Sequence, residues 1–126
     1  MILESGLSLA YIGDAVYELE IRKYLLSLGI TKVKELHNEA IKFTSAHAQA
    51  NIMTHLMDKL SEEEIEYYKR GRNSGGTHKP KNFSLKEYRE ATGFESLIGA
   101  LFLEKNKERL KEIIDLSISF AKENFA

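Results

Sequence analysis

The spacing of apolar residues in this chain is that of α-helices throughout, and no stretch shows the strict alternation of a half-buried strand. The first predicted helix covers about residues 7–28, and Gly29 is placed to cap its C-terminal end. Of the 21 residues from Ser8 to Leu28, 13 are apolar or aromatic. A helix that is apolar on nearly every side is usually covered on more than one side. The pattern therefore predicts an all-α fold whose first helix packs against more than one partner.

Five further helical segments are predicted to begin near Thr31, Ser45, Ser61, Ser84 and Glu108. Thr31 can cap the second helix, but the sequence leaves open whether that helix continues into the third. Ser61 and Ser84 each precede a Glu by three residues, which is the capping-box pattern. Gly93 marks either a break or a close packing point in the segment that starts at Ser84. The one clear long loop covers residues 73–82, which include two glycines and the only proline.

Length and composition limit the classes of protein that fit. At 126 residues the chain is expected to form a single domain, residues 1–126, with a core that needs no disulfides. The sequence has no cysteine, which excludes thiolate metal sites and fits a cytoplasmic location. No uncharged apolar run approaches the roughly 18 residues of a membrane span, and no basic N-terminal region suggests a signal peptide. No membrane partner is therefore expected.

A basic segment stands out against a formal net charge of -1. Residues 69–81 contain five Lys or Arg and one His but no acidic residue. Such cations bind nucleic-acid phosphates with salt-dependent affinity and without distinguishing bases. The candidates for phosphate contact are Lys69, Arg70, Arg72, Asn73, Thr77, His78, Lys79 and Lys81. The alternative is an ordinary solvated loop, and charge alone does not choose between the two.

Two carboxylates lie in strongly apolar helical stretches, where a charge is costly unless it is paired or binds a metal. Asp14 follows Gly13 in the first helix, and Glu95 lies one turn before Gly99. If these small residues let the two helices pack closely, the carboxylates converge. Hard cations such as Mg²⁺ prefer oxygen ligands of this kind. Glu18, one turn after Asp14, is a third candidate ligand.

Each of these carboxylates also has an ordinary interpretation. Asp14 can pair with a Lys or Arg, Glu95 can favour a helix N-terminus through the helix dipole, and Glu18 can be solvated. Spacing alone favours the ordinary interpretation of Asp14 and Glu95. None of the four histidines lies three or four residues from another, so no helical zinc pair is predicted.

Two acidic and two basic motifs follow one another along the chain. Tyr11-Ile12-Gly13-Asp14-Ala15 is similar to the signature helix of the ribonuclease III family, and residues 94–102 resemble the second acidic motif of that family. Residues 9–15, 69–73, 80–82 and 101–105 resemble more closely its Mini-III subgroup. No double-stranded-RNA-binding domain is expected after Ala126, which also points to that subgroup. The resemblance covers nearly the whole chain in order and spacing.

The resemblance implies an all-α ribonuclease III endonuclease-domain fold that works as a homodimer on double-stranded RNA. It implies that Asp14 and Glu95 are catalytic carboxylates of a Mg²⁺ site, where Mn²⁺ can substitute and Glu18 can contribute. The basic segment would then bind RNA. The chain departs from the wider family at Ala10 and Thr92, where Glu and Asp are usual. Both departures look like the Mini-III subgroup itself, and both lower the number of carboxylates around the metal.

The function that we predict is Mg²⁺-dependent cleavage of double-stranded RNA in the cytoplasm, during maturation of the large-subunit (23S) ribosomal RNA precursor. A ribosomal protein that presents this substrate is a further candidate partner. The first alternative is a non-catalytic RNA-binding or ribosome-associated domain on the same fold, which Ala10 and Thr92 keep open. The second is a helical dimerisation module in which Asp14 forms a structural ion pair.

Overall fold

The computed structural model describes residues 1–75 and 84–125, and within these ranges the chain is helical. The α-helices are α1 (Gly6–Ser27), α2 (Val33–Thr44), α3 (Ala46–Leu56), α4 (Glu62–Arg72), α5 (Leu85–Leu103) and α6 (Lys107–Asn124). A single 3₁₀ turn, Met57–Lys59, follows α3. The described residues form no strand, which confirms the prediction of an all-α fold.

Helices α1 and α5 form the central pair. Tyr17 and Ile21 of α1 and Phe94 of α5 are fully buried, and the rings of Tyr17 and Phe94 meet edge-on with their centroids 4.9 Å apart. The Tyr17 hydroxyl donates to the carbonyl oxygen of Phe43 at 2.9 Å, so it also ties α1 to α2. Helices α3 and α4 pack on other sides of α5. More than one helix thus packs on α1, as the sequence predicts, although the row of Leu7, Tyr11 and Leu19 stays exposed.

The connection between α2 and α3 is a break at one residue. Ser45 has an extended backbone conformation (φ -64°, ψ 155°), and its side chain accepts from the N–H of Ala48, which caps α3. This answers the question that the sequence left open. The start of α2 differs from the prediction, because Lys32 rather than Thr31 is the capping residue and makes no side-chain cap hydrogen bond.

Helices α4 and α5 begin at the two predicted serine caps, but only one capping box is complete. Ser61 and Glu64 exchange both hydrogen bonds at the start of α4. At the start of α5 the Ser84 side chain accepts from the N–H of Glu87, while the Glu87 carboxylate pairs with His47 Nδ1 at 2.5 Å. The competing contact with His47 therefore ties α5 to α3 instead of closing the box.

Gly93 is a packing point and not a break, because α5 runs without interruption from Leu85 to Leu103. A Cβ atom at Gly93 would lie 2.6 Å from the Tyr68 ring, so the glycine lets α4 approach α5. None of the helices in residues 1–75 and 84–125 is long and apolar enough to cross a membrane.

Candidate catalytic site

The two acidic motifs meet where the backbones of α1 and α5 touch. A Cβ atom on Gly13 would overlap the carbonyl oxygen of Glu95 and lie 2.8 Å from the nitrogen of Gly99. A Cβ atom on Gly99 would overlap the carbonyl oxygen of Leu9. Only residues without a side chain allow this approach. Glycine spacing therefore brings the neighbouring carboxylates together, as the sequence predicts.

The Asp14 and Glu95 carboxyl groups are neighbours at this crossing. Asp14 is exposed, whereas Glu95 is half-buried beside it. Burial, and then the negative charge of Asp14, raise the pKa of Glu95 to about 8. In the absence of a cation Glu95 is therefore largely protonated near neutral pH.

The position of Glu95 rules out its ordinary interpretation. Glu95 is the eleventh residue of α5, which begins at Leu85, so it lies far beyond the first turn. The dipole effect of a helix N-terminus is confined to that first turn. The break that would have placed Glu95 near a helix start does not occur at Gly93.

A glutamine that the sequence analysis did not single out completes the surroundings of Glu95. Gln49 of α3 is 2% exposed, and its side chain lies beside the Glu95 carboxyl, where it lowers the pKa of that carboxyl against the larger raising effects of burial and of Asp14. Its Nε2 also donates to the carbonyl oxygen of Thr44 at 3.2 Å. A sequence signal did exist, because Gln49 shares one helix face with the buried residues Ile52, Met53 and Leu56.

A cleft of about 290 Å³ opens in front of this cluster. It is lined by Thr44, Ala46, Gln49, Tyr88, Ala91, Thr92 and Glu95. The Thr92 hydroxyl donates to the carbonyl oxygen of Tyr88 at 2.9 Å, and Ala10 is buried. The two positions that hold acids in the wider family therefore contribute no charge here.

Glu18 points away from this cleft. Its carboxylate pairs with Arg22 of the same helix at 3.3 Å and lines a separate groove between α1 and α2. Among the described residues no group of three or more His, Cys, Asp or Glu is placed to hold a metal ion. The ligands that fit a hard cation are thus the Asp14 and Glu95 carboxylates. A bound cation would relieve the repulsion between them.

The basic residues of the sequence fall into two groups with different surroundings. Arg70 binds both oxygens of Glu66 at 2.8–2.9 Å, and its Nη1 donates to the carbonyl oxygens of Ile2 and Glu4. It therefore ties the N-terminal segment to α4. Lys69 is exposed.

Arg72 and Asn73 face a second cleft, of about 570 Å³, between the end of α4 and the start of α5. The Arg72 guanidinium lies 5.3 Å from the centre of the Tyr68 ring, and its Nε donates to Asn73 Oδ1 at 3.1 Å. Lys86 and Arg89 of α5 line the same cleft, although the sequence analysis did not include them. The sequence signal is that Lys86 and Arg89 lie three residues apart and so share one face of α5. Thr77, His78, Lys79 and Lys81 lie outside the described residues.

Comparison with known proteins assigns this arrangement to a family. The ribonuclease III domain matches residues 7–106. The chain therefore belongs to the ribonuclease III family, and its enzyme class is that of an endoribonuclease.

The relatives share most of their length with this chain. A Mini-ribonuclease 3 of Acholeplasma laidlawii is 49% identical over 121 residues, which cover 94% of this chain and 95% of the relative. A Mini-ribonuclease 3 of Enterococcus faecalis is 51% identical over 116 residues, which cover 90% and 88%. The X-ray structure of a Fusobacterium nucleatum protein superimposes with a TM-score of 0.82 at 38% identity, covering 91% of this chain and 92% of the other.

Proposed function

We propose that this chain is a Mg²⁺-dependent endoribonuclease that cuts double-stranded RNA, with Asp14 and Glu95 as its metal-binding catalytic carboxylates. The observation that supports this most strongly is the pairing of two carboxyl groups at the contact of α1 and α5. Burial, and then the negative charge of Asp14, raise the pKa of Glu95 to about 8. An arrangement that is costly without a cation, and that opens into a cleft, is typical of a metal site.

The bound cation would make a water molecule more acidic and stabilise the leaving oxygen of the phosphodiester. The chain itself supplies the framework for that chemistry. Asp14 is exposed to the RNA side, and Glu95 is held in the cleft by its neighbours on α1 and α3. Because both carboxylates are fixed by helices that touch backbone to backbone, their separation varies little.

The RNA would be held chiefly by the cleft of Arg72, Lys86 and Arg89. A duplex of A-form RNA is recognised through its phosphates and 2′-hydroxyls, which suits cations along a groove. Tyr88 and Thr92 line the cleft that contains Glu95. The same two residues also line a further cleft that contains Arg72 and Arg89, so the basic cleft and the acidic cleft are neighbours. This adjacency is what a nuclease needs, because the phosphates that are gripped lie next to the phosphate that is cut.

We also assign a homodimer to the functional form. The face of α1 that carries Leu7, Tyr11, Ala15 and Leu19 is exposed, and the Tyr11 side chain is 84% exposed. An apolar row of this kind is typical of a protein–protein contact. Asp14 lies next to this apolar row. If two copies of the chain pack through the row about a two-fold axis, one acidic site lies on each side of their contact. Two sites could then cut the two strands of one duplex.

The biological role that we propose is maturation of the large-subunit (23S) ribosomal RNA precursor in the cytoplasm, with a ribosomal protein as a possible presenter of the substrate. The similarity to proteins named Mini-ribonuclease 3 supports this role. The absence of cysteine supports a reducing compartment.

The decisive experiment measures cleavage of a labelled RNA duplex by the wild type, Asp14→Asn, Glu95→Gln and Glu18→Gln. With Mg²⁺ or Mn²⁺ we expect losses of at least about a hundredfold for the first two variants and a change below about threefold for the third. Activity of the wild type in a chelator, or full activity of Asp14→Asn, would refute the proposal.

A non-catalytic RNA-binding domain is the second candidate, because only two carboxylates occupy the acidic site. It requires that the wild type bind the same duplex in a salt-dependent manner and leave it intact at every concentration of Mg²⁺ and Mn²⁺. Measuring binding beside cleavage separates the two functions.

A further inference from the structure

Gln49 has an environment that its role in the core does not explain. It is the only glutamine in the chain, and it is 2% exposed in the first turns of α3. Its Oε1 atom has no hydrogen-bond partner among the described residues. Leaving a buried acceptor unpaired costs about 1–3 kcal/mol, which an apolar side chain of similar size would avoid. Stability alone therefore does not account for a glutamine here.

The other half of the same amide group is anchored. One N–H of Nε2 donates to the carbonyl oxygen of Thr44 at 3.2 Å. Gln49 and Glu95 line the same cleft, and the Gln49 amide lies close enough to the Glu95 carboxyl to lower its pKa. Nε2 has a second hydrogen, for which the Glu95 carboxyl is the neighbouring acceptor.

These contacts connect three elements of the fold. Thr44 is the last residue of α2, Gln49 lies in α3, and Glu95 lies in α5. On its other side Glu95 meets Asp14 of α1. The Glu95 carboxyl is therefore held between a neighbour that opposes its negative charge and a donor that favours it.

We propose that Gln49 is a positioning residue for the metal site, whose Nε2 donor orients the Glu95 carboxylate. This inference rests on the proposed function, since it assigns Glu95 to a cation. Groups that hydrogen-bond a metal-binding carboxylate govern its orientation and its charge, and their loss typically lowers metal affinity by about 10–100-fold. With only two carboxylates at the site, the orientation of each carries more of the binding.

The first test measures Mn²⁺ and Mg²⁺ affinity by titration calorimetry on the RNA-free protein, comparing Gln49→Met with the wild type. Met is unbranched and of similar length but has no N–H donor. We expect the dissociation constant to rise by about 10–100-fold. Ser117→Ala is the matched control, because Ser117 is fully buried in α6 and donates to a backbone carbonyl, that of Ile113, at 2.7 Å. It should lose stability but keep wild-type affinity.

The second test uses the unaltered protein and does not depend on whether a variant folds. Because the chain has one glutamine, labelling glutamine side chains with ¹⁵N gives one pair of amide signals in an NMR spectrum. Titration with Mg²⁺ should shift this pair along a curve with the dissociation constant found by calorimetry. Asp14→Asn should abolish the shift.

The outcomes separate this inference from the function on which it rests. If the wild type binds no divalent cation, both are wrong. If it binds the cation but Gln49→Met binds equally well, or if the glutamine signals stay unmoved at saturating Mg²⁺, the role of Gln49 is wrong and the metal site stands. A weakened affinity that Ser117→Ala reproduces would likewise overturn the positioning role.

Discussion

Replacing Glu95 by Gln should remove a pH-dependent loss of stability from the metal-free protein. Burial and the charge of Asp14 raise the pKa of Glu95 from 4.5 to about 8. A Gln side chain has the shape of a protonated Glu, and it can donate to Asp14 while it accepts from Gln49. Glu95→Gln therefore keeps the contacts of the protonated site at every pH.

The direction follows from which state holds the proton. Near pH 4.5 and below, Glu95 is protonated in the folded and the unfolded protein, so its ionisation costs nothing. As the pH rises towards 8, the unfolded chain releases the proton while the folded chain retains it, and the free energy of unfolding falls. Above about pH 8 both states are ionised and the loss is complete.

The pKa values of 4.5 and about 8 set the size of the effect. Their difference of about 3.5 corresponds to about 5 kcal/mol at 1.36 kcal/mol per pKa unit, which is a ceiling. Solvent around Asp14 and the partly exposed edge of Glu95 screens the repulsion, so we expect about 2 kcal/mol. The variant should be the more stable protein at about pH 9 by this amount and equal to the wild type at about pH 4.5.

Urea unfolding in a chelator, repeated from about pH 4.5 to pH 9, measures the difference between the two proteins. Glu123→Gln is the matched control, because Glu123 is exposed near the end of α6, and its curve should follow that of the wild type. Adding Mg²⁺ at high pH should restore stability to the wild type and not to Glu95→Gln. If the wild type and Glu95→Gln stay parallel over the whole range, Glu95 does not carry the proton that the geometry assigns to it.

Three further predictions concern the helix crossing, the basic residues and the exposed face of α1. Gly13→Ala should destabilise the fold by about 1–3 kcal/mol or more and weaken Mn²⁺ binding, because a Cβ atom would push α5 away. Gly75→Ala is the control, because a Cβ atom there would meet nothing within 4 Å, and its free energy of unfolding should stay within about 0.5 kcal/mol of the wild type. Equal urea midpoints for the two variants would contradict this prediction. Arg72→Ala and Lys86→Ala should weaken duplex RNA binding and flatten its salt dependence. Arg70→Ala should instead chiefly lower the melting temperature, because Arg70 is bound to Glu66 and to the N-terminal segment. An unchanged salt slope for Arg72→Ala would show that Arg72 is not part of the RNA interface. Tyr11→Lys should shift sedimentation equilibrium towards the monomer and leave helix content unchanged, and a persistent dimer would place the contact elsewhere.

Most helix limits could be predicted from the sequence because local hydrogen bonds decide them. Ser61 and Ser84 cap their helices through their own side chains, and Gly29 adopts the left-handed conformation (φ 86°) that its position indicated. The prediction fails where distant residues compete, because Glu87 pairs with His47 instead of completing its capping box. At Gly93 the packing of Tyr68 decides between the two alternatives that the sequence left open.

The sequence by itself determined that the first helix would be packed by more than one partner, and it marked two acidic motifs with adjacent glycines that converge if their helices pack closely. Only the tertiary structure decided what surrounds the meeting point. The raised pKa of Glu95, the direction of Glu18 towards Arg22 and the place of Gln49 beside Glu95 each depend on residues far apart in the chain. Burial and electrostatics act through distances in space, and the order of residues along the chain does not specify those distances before the chain folds.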